Sequence, residues 1–153
     1  MVARADGSPF DRIIVPIDPV QGPNPSVEYA SILATRFGCQ LTLLSAVDDS
    51  GPQQAAVDSL GRLATSNDVE TLVSAGEPVE VITTEVSHHD RPLIAMATRN
   101  PGPLREALFG SVTSRVMREV SAPMLLTGPA CQPVNTTWGD DGPRTILICL
   151  DRS

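Results

Sequence analysis

Lysine is absent from the sequence, whose eleven basic residues are all arginine. This excludes a Walker-type loop, in which a lysine holds the phosphates, and it excludes catalysis by a lysine Schiff base or a lysine base. Eighteen acidic residues outnumber the arginines and give a formal net charge of −7. Because nucleic-acid binding depends on Lys and Arg neutralising phosphate, this composition argues against nucleic acid as a main partner.

Cysteines and long apolar runs are also scarce. Cys39, Cys131 and Cys149 are far apart and form no C-x-x-C pair, which predicts reduced thiols rather than a disulfide framework or a zinc site. No run approaches the roughly 18 consecutive apolar residues of a membrane span, and residues 1–12 lack the apolar core of a signal peptide. We therefore expect a soluble, cytoplasmic protein with no membrane partner.

Apolar strand patterns alternate with helical patterns along the 153 residues, of which 41% are hydrophobic. Strands are predicted at residues 12–17, 40–47, 69–74, 92–97 and 123–127. Helices are predicted at residues 25–37, around 57–64, at 78–88 and at 112–120. This order predicts one α/β domain: an open, mainly parallel, five-stranded sheet with helices on both faces. Such sheets bind ligands at the carboxyl ends of the strands, beside the topological switch point.

The C-terminal segment has a different character. Residues 128–143 have the composition of a linker, and residues 145–151 repeat the pattern of residues 12–18, an apolar strand followed by Asp. This extra strand is either the start of a second copy of the domain or an additional edge strand. We divide the chain into a domain at 1–128 and a linker with an extra strand at 129–153.

The connection after the fourth strand carries the main candidate for anion binding. Ser111 directly precedes a helical pattern, so we expect it to be the N-cap, with exposed backbone amides beside it that can hold an anion. Arg99 and Arg105 on the same connection supply positive charge. The alternative is an ordinary capped helix after a long loop. His88 and His89 have no apparent third ligand, and the end of a helix explains them, so no metal site is predicted.

Residues 12–127 resemble a universal stress protein domain. The resemblance is carried by Pro-Ile-Asp at 16–18, Leu-Leu-Ser-Ala-Val-Asp at 43–48, Leu-Ile-Ala-Met-Ala-Thr-Arg at 93–99, Leu-Phe-Gly-Ser-Val at 108–112 and Ala-Pro-Met-Leu-Leu at 122–126. It implies a Rossmann-like sheet of the adenine nucleotide alpha hydrolase-like type. It also implies a homodimer formed through edge strands, which fits the apolar, uncharged character of residues 123–127 and 145–150.

The same resemblance implies a ligand site. Adenine would lie against the end of the first strand and the backbone after the second, and the ribose and phosphates would lie against the loop before the fourth helix. With Arg99 as a cation on that loop, the candidate site is Pro16, Ile17, Asp18, Ala46, Ala97, Arg99, Asn100, Gly110, Ser111 and Val112. Ala97 and Asn100 stand where the family motif has its first two glycines. Ala97 adds a β-carbon at the wall of the pocket, whereas asparagine tolerates the left-handed region better than most residues.

Two functions follow from these expectations. One is a nucleotide-responsive stress module that binds ATP or a related adenine nucleotide, with magnesium arriving only with the nucleotide. No committed general base is apparent, so no efficient enzyme is expected. The other is a nucleotide-free dimerisation or interaction module of the same family, which Ala97 and Asn100 favour. An adenine-nucleotide synthetase of this topology is less favoured, because residues 19–24 lack a phosphate-gripping loop.

Overall fold

The computed structural model describes residues 7–19, 24–48, 53–64, 68–98 and 110–128. Within these ranges strands and helices alternate as the sequence predicts. In chain order they are β1 (Arg12–Pro16), α1 (Pro25–Phe37), β2 (Gln40–Val47), α2 (Gln53–Leu63), β3 (Val69–Ala75), α3 (Pro78–Ser87), β4 (Pro92–Ala97), α4 (Ser111–Glu119) and β5 (Met124–Thr127). The bounds differ from the predicted ones by a residue or so at most ends; β1, for example, ends at Pro16 rather than at residue 17.

The five strands form one parallel sheet in the order β3-β2-β1-β4-β5. Ile13 in the central strand β1 is in register with Leu41 of β2 on one side and with Leu93 of β4 on the other. The chain runs outward from β1 to β3 and then crosses to the other side of β1 as β4. The switch point therefore lies between β1 and β4, and the predicted open parallel sheet is confirmed.

The helices cover both faces of the sheet. On one face, Ala30 of α1 and Leu60 of α2 belong to the same core cluster as Ile13 of β1. On the other face, Ile82 of α3 and Val116 of α4 pack with the second core cluster. Because successive side chains of a strand point to opposite faces, the continuous apolar run of β1 supplies both clusters, and its three central residues are completely buried.

The ends of α1 match the signals in the sequence. Asn24 is the N-cap, and its side chain accepts a hydrogen bond of 3.0 Å from the backbone N–H of Ser26. Pro25 occupies the first helical position, where its missing N–H costs nothing. Gly38 ends the helix in the left-handed region at φ 62°, a conformation that glycine adopts without a β-carbon penalty.

Two residues that mark helices in the sequence do not face the core. Val57 in α2 is 46% exposed and Met117 in α4 is 43% exposed. The buried positions of these helices are Ala56 and Leu60 in α2, and Thr113 and Val116 in α4. An apolar residue next to the buried stripe of a helix is turned about 100° from it, and it lengthens the apolar pattern without entering the core.

Some predictions lie outside the described residues, namely the segment 129–153 with its extra strand, and Cys131 and Cys149. Cys39 is described and is a buried free thiol. Burial raises the pKa of this thiol, because a low-dielectric environment disfavours the thiolate. In the described part of the chain, no helix has the length and apolar character needed to cross a membrane.

Candidate functional site

A cavity of about 270 Å³ opens at the carboxyl-terminal edge of the sheet, beside the switch point between β1 and β4. It continues the second core cluster outward, between the sheet and the first turns of α3 and α4. The described lining residues are Pro16, Ile17, Asp18, Pro19, Asn24, Leu44, Ala46, Pro78, Ile82, Met96, Ala97, Gly110, Ser111, Val112 and Thr113. A cavity at this place is where an open parallel sheet is expected to bind a ligand.

The structure brings most of the predicted site residues together around this one cavity. The predicted residues that line it are Pro16, Ile17, Asp18, Ala46, Ala97, Gly110, Ser111 and Val112. They come from three separate parts of the chain, after β1, at the end of β2, and around the connection from β4 to α4. Arg99 and Asn100, the other two predicted residues, lie outside the described residues, as does Arg105.

The end of β1 positions one rim of the cavity. The backbone N–H of Ile17 donates a hydrogen bond of 2.7 Å to the carbonyl of Leu44, which extends the β1–β2 pairing one residue beyond the strand. Ile17 is therefore fixed and is 6% exposed. Asp18, the next residue, is exposed at the rim. It is the one ionisable residue among the lining residues that the structure describes.

The inner wall of the cavity is apolar. Leu44, Ile82 and Met96 are all buried and line it together. A wall of this kind suits a flat, apolar ring, since ligand cavities combine hydrophobic walls with a few polar groups that fix orientation. Ala97, at the end of β4, is partly buried and adds its β-carbon to the same wall.

The start of α4 differs from the prediction. Gly110 is the N-cap, with φ −60° and ψ 160°, and Ser111 is already the first helical residue, so the prediction that Ser111 is the N-cap is wrong. An N-cap needs a non-helical backbone, and glycine adopts it here one residue earlier. Gly110, having no side chain, makes no side-chain hydrogen bond to the first turn of α4. The free backbone N–H groups of a first helical turn attract a negatively charged group.

The contribution of α3 was missing from the sequence-based site. Pro78 and Ile82 line the cavity, although the prediction considered only the segments that follow the first, second and fourth strands. Pro78 marked the start of this helix in the sequence, but no residue there indicated that the helix start borders the cavity. In a parallel sheet, the helix that follows β3 starts at the same edge as the ligand site.

The histidines at the end of α3 have a local explanation. His88 is the C-cap, and the ring nitrogens of His88 and His89 lie 3.7 Å and 3.0 Å from the carboxylate of Glu85. Among the described residues, no group of three or more His, Cys, Asp or Glu side chains is placed to hold a metal ion.

The sequence was compared with models of known protein families. The model of the universal stress protein family matches residues 58–128. Residues 58–128 are therefore similar to the universal stress protein family. The resemblance predicted from the sequence is thereby confirmed, and the matched part includes the start of α4, which lines the cavity. A comparison with curated protein sequences found no match.

Solved universal stress protein structures share the fold. One, described as a universal stress protein in complex with cAMP, is 20% identical with a TM-score of 0.56, over 78% of this chain and 97% of that one. Another, from Archaeoglobus fulgidus in complex with dAMP, is 14% identical with a TM-score of 0.54, over 76% of this chain and 97% of that one.

A longer universal stress protein is similar as well. This one, from Archaeoglobus fulgidus DSM 4304, is 23% identical with a TM-score of 0.62. The alignment covers 79% of this chain but 46% of that one. At such identities these likenesses establish the fold.

Proposed function

We propose that this chain is a regulatory universal stress protein module that binds an adenine nucleotide in the cavity at the switch point. The observation that carries the proposal is the convergence of three separate parts of the chain, each singled out by the family resemblance, around one cavity. Its support from relatives is that two proteins of this fold are described in complex with cAMP and with dAMP.

The chemistry of the lining suits such a ligand. The purine ring packs against the buried apolar wall of Leu44, Ile82 and Met96, and the Asp18 carboxylate at the rim accepts a hydrogen bond from a ligand amino or hydroxyl group. The phosphate lies at the start of α4, where free amides and the helix dipole favour negative charge. At about 270 Å³, the cavity holds the base and ribose, and the phosphates extend toward solvent.

More specifically, we propose that the nucleotide is ATP with magnesium. Ala97 is the residue that affects how ATP fits the cavity. Its β-carbon occupies space at the wall that a glycine leaves free. The ribose and phosphates of the ligand therefore lie farther from the protein backbone at the end of β4. Magnesium enters only with the phosphates.

The module acts by binding, and any hydrolysis is slow and incidental. General acid–base catalysis needs a group within hydrogen-bond reach of the proton that it moves. The described lining offers Asp18 alone for that role, at the exposed rim. Nucleotide binding then changes the conformation or the dimeric state of the protein.

A nucleotide-free dimerisation module is the second candidate. β5 has the sequence Met-Leu-Leu-Thr, carries no charge, and within the described residues pairs with β4 alone. An uncharged edge strand is open to pairing with a second chain. If Ala97 closes the cavity to nucleotides, this edge is the surface through which the protein acts.

Calorimetric titration of the purified protein with ATP and magnesium tests the proposal. We expect micromolar affinity, and we expect the double variant Asp18→Ala, Ser111→Ala to lose it while its circular dichroism spectrum stays native. Absence of heat and of a thermal shift at millimolar nucleotide contradicts the proposal and favours the dimerisation module.

A further inference from the structure

An ion pair joins the starts of α3 and α4. Glu77 is the N-cap of α3, and its Oε2 atom accepts hydrogen bonds from the backbone N–H groups of Val79 at 3.1 Å and Glu80 at 3.3 Å. Its other oxygen, Oε1, accepts a hydrogen bond of 2.9 Å from Nη1 of Arg115 on α4. Because the cap fixes the Glu77 carboxylate, the ion pair holds the Arg115 guanidinium at the start of α3.

This ion pair lies beside the cavity. Pro78 directly follows Glu77, and Ser111 precedes Arg115 by one helical turn; both Pro78 and Ser111 line the cavity. Arg115 is not among the described lining residues, but its guanidinium reaches from α4 to Glu77, the residue directly before Pro78. The guanidinium therefore bridges the two helix starts that form one side of the cavity.

The pairing of Arg115 is weak enough to be exchanged. Its guanidinium also lies 3.6 Å from a carboxylate oxygen of Glu119, one turn farther along α4. The Arg115 side chain is 45% exposed and that of Glu77 is 39% exposed. Ion pairs with this degree of exposure contribute little to stability. An anion at the start of α4 can therefore compete with Glu77 for Arg115.

Arg115 also supplies a charge that the described lining lacks. Asp18 is the ionisable residue of that lining, and it is acidic. An anionic group at the start of α4 thus meets the backbone amides of the first helical turn and, one turn away, a cation that already has a carboxylate partner. The affinity of the site for that group depends on which of the two anions Arg115 contacts.

We propose that Arg115 is a specificity-determining residue of this cavity, which exchanges Glu77 for the phosphate of a bound nucleotide. Glu77 is the competing anion, so the two residues act on phosphate affinity with opposite signs. This inference rests on the proposed function and deepens it. Arg115 recognises the phosphate charge of the ligand and not its base. The base and ribose bind independently of the ion pair.

The experiment measures the affinity of the full chain for adenosine, AMP and ATP without divalent ions, at one ionic strength. Arg115→Gln weakens ATP binding about fivefold and AMP binding less, in line with the coupling of one partly screened charge pair. Glu77→Gln, whose amide oxygen still caps α3, strengthens ATP binding about threefold, a change of the same origin. Adenosine affinity changes less than about twofold in both variants, because it carries no charge.

The opposite changes of ATP affinity in the two variants distinguish this role from a structural one. Both variants lose the same ion pair between α3 and α4, so a merely structural role shifts ATP affinity in the same direction in both. Arg62→Gln is the matched control: it removes one positive charge from the exposed surface of α2, on the other face of the sheet, and leaves all three affinities unchanged.

Each outcome has a distinct meaning. An ATP-to-adenosine affinity ratio that falls in Arg115→Gln and rises in Glu77→Gln supports the proposal. A ratio that stays constant in both, or moves the same way in both, overturns it while the proposed function stands. A wild-type protein that binds neither adenosine nor ATP contradicts the proposed function, and this inference with it.

Discussion

The hydroxyl oxygens of Ser26 and Thr127 lie 2.7 Å apart, although the residues are 101 positions apart in the sequence. Both residues are buried, at 0% and 3% exposure. Their hydrogen bond fastens the first turn of α1 to the last residue of β5, and the Thr127 hydroxyl also reaches the carbonyl of Met96 at 3.4 Å. The bond thereby fixes the start of α1, where Asn24 lines the cavity, against the strands on the other side of the switch point.

We predict that this pair stabilises the fold cooperatively. Thr127→Val keeps the shape of the side chain but leaves the buried Ser26 hydroxyl without its partner, which costs about 1–3 kcal/mol of unfolding free energy. Ser26→Ala costs less, because the Thr127 hydroxyl can still donate to Met96. Urea denaturation measures both changes, and the double variant loses less than the sum of the two single losses. Strict additivity would contradict the account of this pair.

The wall position of Ala97 predicts that a larger side chain blocks the cavity. Ala97→Leu places three additional carbon atoms into a cavity of about 270 Å³, so binding of AMP and ATP falls more than about tenfold, since overpacking a wall excludes a well-fitted ligand. Titration calorimetry measures the loss. Ala75→Leu is the matched control: Ala75 ends β3 at the same edge, is exposed and does not line the cavity. Equal losses in both variants would contradict a site at Ala97.

Asn24 caps α1 and also lines the cavity, and two substitutions separate these two roles. Asn24→Ala removes the N-cap acceptor of α1 and lowers the unfolding free energy by about 1 kcal/mol. Asn24→Asp keeps the cap but adds a negative charge at the cavity, so stability is retained and AMP affinity falls about threefold while that of adenosine does not. Chemical denaturation and calorimetry measure the two properties. Unchanged AMP affinity in Asn24→Asp would place the phosphate away from α1.

Cys39 predicts a loss of stability at alkaline pH. Burial raises the pKa of its thiol, so the folded state favours the protonated form. The resulting stabilisation is fully present below the unfolded thiol pKa of about 8.5 and is lost as the pH rises through the higher folded value. The unfolding free energy of the wild type therefore decreases more between pH 8 and pH 10 than that of Cys39→Ala. Parallel pH profiles of the two proteins would exclude this contribution.

The fold could be predicted because local signals and long-range packing agree. β1 is apolar on both faces because it is central, and that burial is visible in the sequence as a continuous run. Asn24, Pro25 and Gly38 mark the ends of α1 through backbone requirements that depend on a few adjacent residues only. The alternation of strands and helices then leaves few topologies.

The lining of the cavity could be predicted only in part. Asp18, Ala46 and Gly110 follow from strand ends and from the family resemblance, because both concern residues close in sequence. Pro78 and Ile82 of α3 line the cavity because of how that helix lies across the sheet. Neither residue type indicates a ligand site in the sequence. The N-cap of α4 is Gly110 and not the predicted Ser111. Either residue type suits an N-cap, and the backbone conformation of one residue decides between them.

The central claim, an adenine-nucleotide site in the cavity at the switch point, is tested most directly by mapping a bound nucleotide with amide chemical shifts. Titration of isotopically labelled protein with AMP should shift the amide signals of Ile17, Asp18, Ala46, Ser111 and Val112. The groove at the opposite edge of the sheet, which includes Phe10 and Ala122, should stay unchanged. Absence of shifts at millimolar AMP, or shifts confined to that opposite groove, would contradict the account.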